Sequence, residues 1–142
     1  MSIILAQTDT TVGFLSQDSN ALAHIKGRES TKPFLKVFAS LSLLQSTIRV
    51  PIKYRTFVRH ARRTTFVIKN QAIRYVNDPS HARLIQKYGW LYSTSANPSG
   101  REYDREFCIS HSDMLIEDSR GFTPCEPSHI YRLTPTQFKK LR

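Results

Sequence analysis

Residues 64–68, Thr-Thr-Phe-Val-Ile, commit this chain to a β-sheet, because a run dominated by β-branched and aromatic side chains packs best on a pleated surface. Residues 72–76 follow across an Asn70-Gln71 turn and read as the partner strand. Further short strands are expected at 3–7, 33–38, 90–93, Met114–Ile116 and His129–Leu133. Between them lie helical patterns. Asp18 caps a helix that carries Ala21, Leu22 and Ile25 on one stripe and stops at Gly27. Residues 40–45 suit a short helix, and Ser80 caps another that ends at Gly89. Residues 136–141 suggest a last helical turn. Strands and hairpins interspersed with helices predict an α/β (α+β) fold on a mixed sheet.

Residues 52–63 sort into two faces at helical spacing, with Tyr54, Phe57, Val58 and Ala61 on one and Arg55, Arg59, Arg62 and Arg63 on the other. This arginine edge belongs to a larger asymmetry. From Arg49 to Lys87 ten Lys or Arg residues face one acid, Asp78, which places +9 of the formal +10 in this stretch. Such a field favours anionic partners, including nucleotides and RNA.

With 142 residues, 39% of them hydrophobic, the chain can bury one core, so a single domain over 1–142 is expected. No window approaches the roughly 20 apolar residues of a membrane helix, and the apolar start lacks a basic leader. A soluble, cytoplasmic protein without membrane association is expected. Two cysteines, Cys108 and Cys125, are too few for a disulfide scaffold. Cys108-x-x-His111 and Cys125-x-x-x-His129 could complete a zinc site, but ordinary loop and strand residues are the preferred reading, and no metal site is assigned. The histidines show no triad or metalloprotease spacing, and His24, beside apolar neighbours, is expected to pack.

Four elements then occur in a telling order. Thr8-Asp9-Thr10-Thr11-Val12-Gly13-Phe14 resembles the P-T-[DE]-T-V-Y-G-L opening of the YrdC-like family, with Gln7 in place of proline. Lys26-Gly27-Arg28 resembles its K-x-R element, and Lys32-Pro33-Phe34 the N/K-P-L that follows. Ser93-Thr94-Ser95-Ala96-Asn97-Pro98-Ser99-Gly100 resembles its S-T-S-A-N-x-S-G loop without a mismatch. Weaker likenesses place Thr64 to Val67 on P-L-T-L, Arg74 on V-R-x-P, Pro127 to Ile130 on P-S-T-[IV], and Leu141-Arg142 on a terminal leucine-arginine. The family's W-P-G-P element is replaced by Arg59-His60-Ala61-Arg62-Arg63. Tyr75-Val76 follows Arg74, and His129 and Tyr131 stand for the threonine and aspartate of S-T-V-V-D.

The resemblance implies a twisted, open mixed sheet with a concave basic face. It also implies a nucleotidyltransferase that joins L-threonine, bicarbonate and ATP into threonylcarbamoyl-adenylate, the donor for tRNA threonylcarbamoyltransferase proteins. Carried over residue by residue, Lys26 and Arg28 are the catalytic cations, and Lys26, Arg28, Lys32, Ser95, Asn97 and Arg142 the ATP contacts. Thr8, Arg74, Ser93 and Ser128 would surround threonine, with Arg74 on its carboxylate. The residue types agree with that chemistry. Adenylate formation needs positive charge and in-line positioning more than a protein nucleophile, and lysine and arginine grip phosphate in different ways. Mg²⁺ would arrive on the phosphates, with no dedicated protein cage.

Two other readings compete. One is a non-catalytic module for tRNA or double-stranded RNA bound through Arg55, Arg59, Arg62 and Arg63. The other is a carbamoyl-adenylate-forming domain like that of hydrogenase-maturation carbamoyltransferases, although the acylphosphatase and zinc-finger parts that normally accompany it are not present in these residues.

Overall fold

The computed structural model describes residues 2–28, 33–98, 100–117, 121–122 and 125–142. Among the described residues nine strands form one mixed sheet in the order β7-β1-β2-β6-β3-β5-β4-β8-β9. β1 (Ile4–Gln7) and β2 (Val12–Ser16) pair antiparallel, with Ile4 opposite Leu15 and Gln7 opposite Val12. Every residue of both strands is buried. β2 is not apparent from the sequence, because it is covered on both faces and so shows no alternation. Val12 and Phe14 join one core with Leu22 and Cys108, while Leu15 joins another with Val37 and Ile85.

Helix α1 (Ser19–Lys26) forms as expected. Asp18 accepts from the amides of Asn20 and Ala21, and Gly27 closes the helix in the left-handed region at φ 61°. Leu22, Ala23 and Lys26 face inward. His24 falls between those positions and is exposed, so it does not pack as its neighbours suggested.

β3 (Leu35–Phe38) is followed by α2 (Leu41–Thr47), which Ser40 caps. The twelve-residue amphipathic helix expected at 52–63 is shorter. A 3-10 turn over Ile52–Tyr54 leads into α3 (Arg55–His60), and Ala61 is already extended. The chain must turn into β4 (Thr64–Ile68), which it does through Arg63 at φ 53°. β4 and β5 (Gln71–Tyr75) form the expected hairpin, but the turn is centred on Lys69 and Asn70, both at positive φ as a primed two-residue turn requires.

The next helix, α4 (Pro79–Gln86), is capped by Asp78 rather than Ser80, and Pro79 occupies the first turn, where its missing N–H costs nothing. β6 (Trp90–Ser95) runs two residues further than expected, paired with β2 on one side and β3 on the other. α5 (Arg105–Ser110), capped by Asp104, was not expected; it is six residues long and buries only Cys108. β7 (Met114–Ile116) and β8 (His129–Leu133) occur where the sequence placed them. The last segment is a strand, β9 (Phe138–Lys140), rather than a helical turn. Thr134 N–H donates to the Gln137 carbonyl and its hydroxyl accepts from the Gln137 amide, which folds the chain back so that Phe138 lies opposite Leu133. Among the described residues no helix is long and apolar enough to cross a membrane.

The register decides where a ligand can sit. Gly13 lies opposite Ser95, Leu35 opposite Ser93, Val37 opposite Arg74, and Thr65 opposite Ile130, so these side chains share one face of the sheet. Leu84 and Ile85 of α4 cover the part of that face carrying Leu15, Val37 and Leu91. Beyond them the face is open.

Candidate functional site

The uncovered part of this face forms a cavity of about 290 Å³. The β1–β2 loop contributes Thr8, Thr10 and Thr11, β4 and β5 contribute Thr65 and Arg74, β6 contributes Ser93 and Ser95, and the C-terminal segment brings Ser128 and Arg142. Arg28 closes it beside Phe34, with its guanidinium carbon 4.1 Å from the ring centroid and Nη2 donating to the Pro33 carbonyl at 3.0 Å. Among the described residues three arginines and no Asp or Glu side chain line the cavity, which therefore favours an anion.

Arg74 is the fixed point of the site and is 5% exposed. Its Nη1 donates to Asp9 Oδ1 at 2.8 Å and to Thr10 Oγ1 at 3.2 Å. Nε and Nη2 both reach Thr65 Oγ1, at 3.2 and 3.0 Å. Of its five N–H groups, one on Nη2 is left with no partner among the described residues. Burial lowers its pKa, the Asp9 carboxylate opposes that, and Arg142 adds to it. An arginine so placed gains from a second anion.

The hydroxyls are connected too. Thr65 Oγ1 lies 2.9 Å from Ser128 Oγ, and Arg142 donates from Nε to the Ser128 carbonyl at 2.9 Å. On the opposite wall, Thr8 Oγ1 accepts from the Thr10 amide and donates to the Thr11 carbonyl, which folds the β1–β2 loop over the cavity. A Cβ on Gly13 would stand 2.9 Å from Thr8 Cγ2 and 3.3 Å from the Thr94 carbonyl oxygen, so glycine lets this loop lie close to β6.

The loop after β6 is held from below. Lys26, 7% exposed, donates from Nζ to the Asn97 carbonyl at 2.8 Å, the Ser95 carbonyl at 3.0 Å and Asn97 Oδ1 at 3.3 Å. Burial lowers its pKa, Cys108 opposes the effect, and Arg28 adds to it. Asn97 donates from Nδ2 to the carbonyls of Pro98 and Arg101. The fully buried Cys108 donates to the Ala96 carbonyl at 3.1 Å, and its own burial pushes the thiol pKa up.

The structure thus brings Thr8, Arg28, Arg74, Ser93, Ser95, Ser128 and Arg142 to one cavity. Lys26 and Asn97 are not on its lining but join each other beneath the adjoining loop. Asn97 opens instead onto a neighbouring hollow of about 230 Å³, which shares Thr11, Ser95 and Pro127 with the first. Lys32 lies outside the described residues. Asp9, Thr10 and Thr65 hold Arg74 but drew no role from the sequence. The one available signal was the polar Thr8-Asp9-Thr10 run between two apolar segments. Among the described residues no three His, Cys, Asp or Glu side chains gather as a metal site would need.

Known proteins with this architecture carry ligands. P. abyssi Sua5 complexed with L-threonine superposes with a TM-score of 0.81 at 17% identity, over 99% of this chain and 50% of that one. Full-length HypF in a phosphate- and nucleotide-bound form gives 0.75 at 15% identity, over 99% of this chain and 26% of the other. In sequence the chain is 28% identical over 138 residues to the uncharacterized protein MG259 homolog of Mycoplasma pneumoniae, covering 92% of this chain and 30% of the relative. It therefore spans half or less of the length of these proteins. The Sua5/YciO/YrdC family, described as telomere recombination, matches residues 2–142, and this chain belongs to it.

Proposed function

We propose that this chain is an L-threonylcarbamoyladenylate synthase, converting L-threonine, bicarbonate and ATP into threonylcarbamoyl-adenylate and pyrophosphate for threonylcarbamoylation of tRNA in the cytoplasm. The observation that carries the proposal is Arg74, buried at the floor of a hydroxyl-lined cavity with one N–H still to give. A threonine carboxylate supplies the missing acceptor. Thr8, Ser93 and Ser128 surround the rest of the amino acid.

The amine of threonine reacts with bicarbonate to give a carbamate and water. A carbamate oxygen then attacks the α-phosphorus of ATP, and the bond to the bridging oxygen of pyrophosphate breaks. Ser95, Arg28 and Arg142 contact ATP from the cavity rim, Asn97 joins them from the neighbouring hollow, and Lys32 is assigned to ATP from its motif alone. Arg28 is the catalytic cation at the rim and offers a fork to the departing charge, while Lys26, expected to share that role, acts as a positioning residue that orders the loop presenting Ser95 and places a positive charge beneath it. Mg²⁺ would be carried by the phosphates of ATP and would offset their charge. P. abyssi Sua5 with L-threonine and HypF with nucleotide support this choice of ligands through their shared fold.

The test is pyrophosphate and threonylcarbamoyl-adenylate formation by purified protein, with and without L-threonine. AMP formation that depends on carbamoyl phosphate rather than threonine would replace this activity with the carbamoyl-adenylate reaction. The RNA reading is favoured by one observation of its own, since Arg55, Arg59, Arg62 and Arg63 are all exposed. Salt-dependent tRNA binding without pyrophosphate release would leave a binding module alone.

A further inference from the structure

A second cleft, of about 590 Å³, lies away from the cavity described above, between the turn before α3, the β4–β5 turn and the β8–β9 turn. Its floor is apolar. Ile68 and Leu133 are 3% and 1% exposed, and Pro51 and Pro135 stiffen two of its sides. Ile52 forms a wall and is 70% exposed, which is the largest exposure among the big apolar side chains described. Arg49, Lys53 and Lys69 stand around the opening, all exposed, and none pairs with a carboxylate among the described residues.

We propose that this cleft docks an acidic segment of a partner protein that inserts one bulky aliphatic or aromatic side chain. An isolated exposed isoleucine needs no explanation, but one continuous with a buried apolar floor loses water-exposed area when an anchor enters. Three cations without a carboxylate partner among the described residues, one of them, Lys53, resting 5.1 Å from the Tyr54 ring centroid, select carboxylates and disfavour a basic partner. Nucleic acid fits the cleft less well, because among the described residues its lining carries no aromatic ring on which a base could stack. The prolines and the two tight turns hold the walls before binding, which reduces the ordering cost on this side of the interface.

The test is selection of short random peptides displayed on phage against the wild-type protein, with counter-selection on Ile52→Asp. The recovered peptides are then measured by fluorescence anisotropy. Enriched peptides should combine Asp or Glu with a Leu, Ile, Phe or Trp anchor. Their binding should weaken by about tenfold or more in Ile52→Asp and in the double variant Lys53→Glu/Lys69→Glu, and should weaken with added salt. The proposal is overturned if no peptide survives counter-selection, if survivors lack an acidic bias, or if the Lys53→Glu/Lys69→Glu variant binds them as the wild type does. None of these residues lines the candidate active site, so threonine-dependent pyrophosphate release reports independently on that reading.

Discussion

Asp9 and Arg74 form an ion pair at 2.8 Å with side chains 7% and 6% exposed, linking the first interstrand loop to the middle of the sheet. The pair holds the buried guanidinium of the cavity in place. Removing one member strands the other charge away from water, at a cost of about 3–5 kcal/mol. Asp9→Ala should therefore lower the denaturant midpoint markedly, and Asp9→Asn, which keeps a polar group beside Nη1, should lower it less. Equal stability of Asp9→Ala and wild type in urea unfolding would show that the pair carries no such burden.

Gly13→Ala tests the close approach of the β1–β2 loop to β6. The added methyl meets Thr8 Cγ2 at 2.9 Å and the Thr94 carbonyl at 3.3 Å. Overpacking of this kind costs about 1–3 kcal/mol. Because Thr8 lines the cavity, L-threonine affinity measured by calorimetry should fall together with thermal stability. A stable variant with undiminished affinity would mean that the loop moves freely.

Cys108 gives a pH signature. Burial raises its thiol pKa above the ordinary value of 9.0, so the unfolded chain loses that proton more readily than the folded one. The stabilisation is complete below the ordinary thiol range and is lost as pH rises through it toward the folded-state pKa. The wild type should therefore lose stability at alkaline pH more steeply than Cys108→Ser, which retains a donor for Ala96 but does not titrate there. Identical alkaline profiles for the two would exclude the thiol as the source.

Lys26→Ala, Arg28→Ala and Asn97→Ala should each reduce ATP-dependent product formation by more than tenfold, about 1.4 kcal/mol or more of transition-state stabilisation. Lys26 and Asn97 should act together, because they bond to each other at 3.3 Å, so the double variant should lose less than the product of the single losses. Near wild-type rates in all three single variants would remove them from the machinery.

Parts of this molecule were legible because their causes are local. The β4–β5 hairpin follows from Thr64 to Ile68, the start of α1 from Asp18, and the loop after β6 from its small polar residues. Elements whose cause is tertiary were not. β2 is buried on both faces and lost its alternation, and α5 is too short to show a period. In β9 every residue is exposed, and it exists because β8 offers it an edge. The site divides in the same way. Ser93, Ser95 and Ser128 could be named from their motifs, whereas the contact between Asp9 and Arg74 spans 65 positions and depends on a register across five strands.

The open face of the sheet is proposed to turn threonine, bicarbonate and ATP into an adenylate. The most direct measurement is pyrophosphate release by purified protein supplied with ATP, Mg²⁺ and bicarbonate, with L-threonine added or withheld and the adenylate identified by mass spectrometry. Release that requires L-threonine, accompanied by threonylcarbamoyl-adenylate and abolished in Arg74→Ala, is the predicted result. Release that is indifferent to threonine, or none at all from folded protein that still binds tRNA, would contradict it.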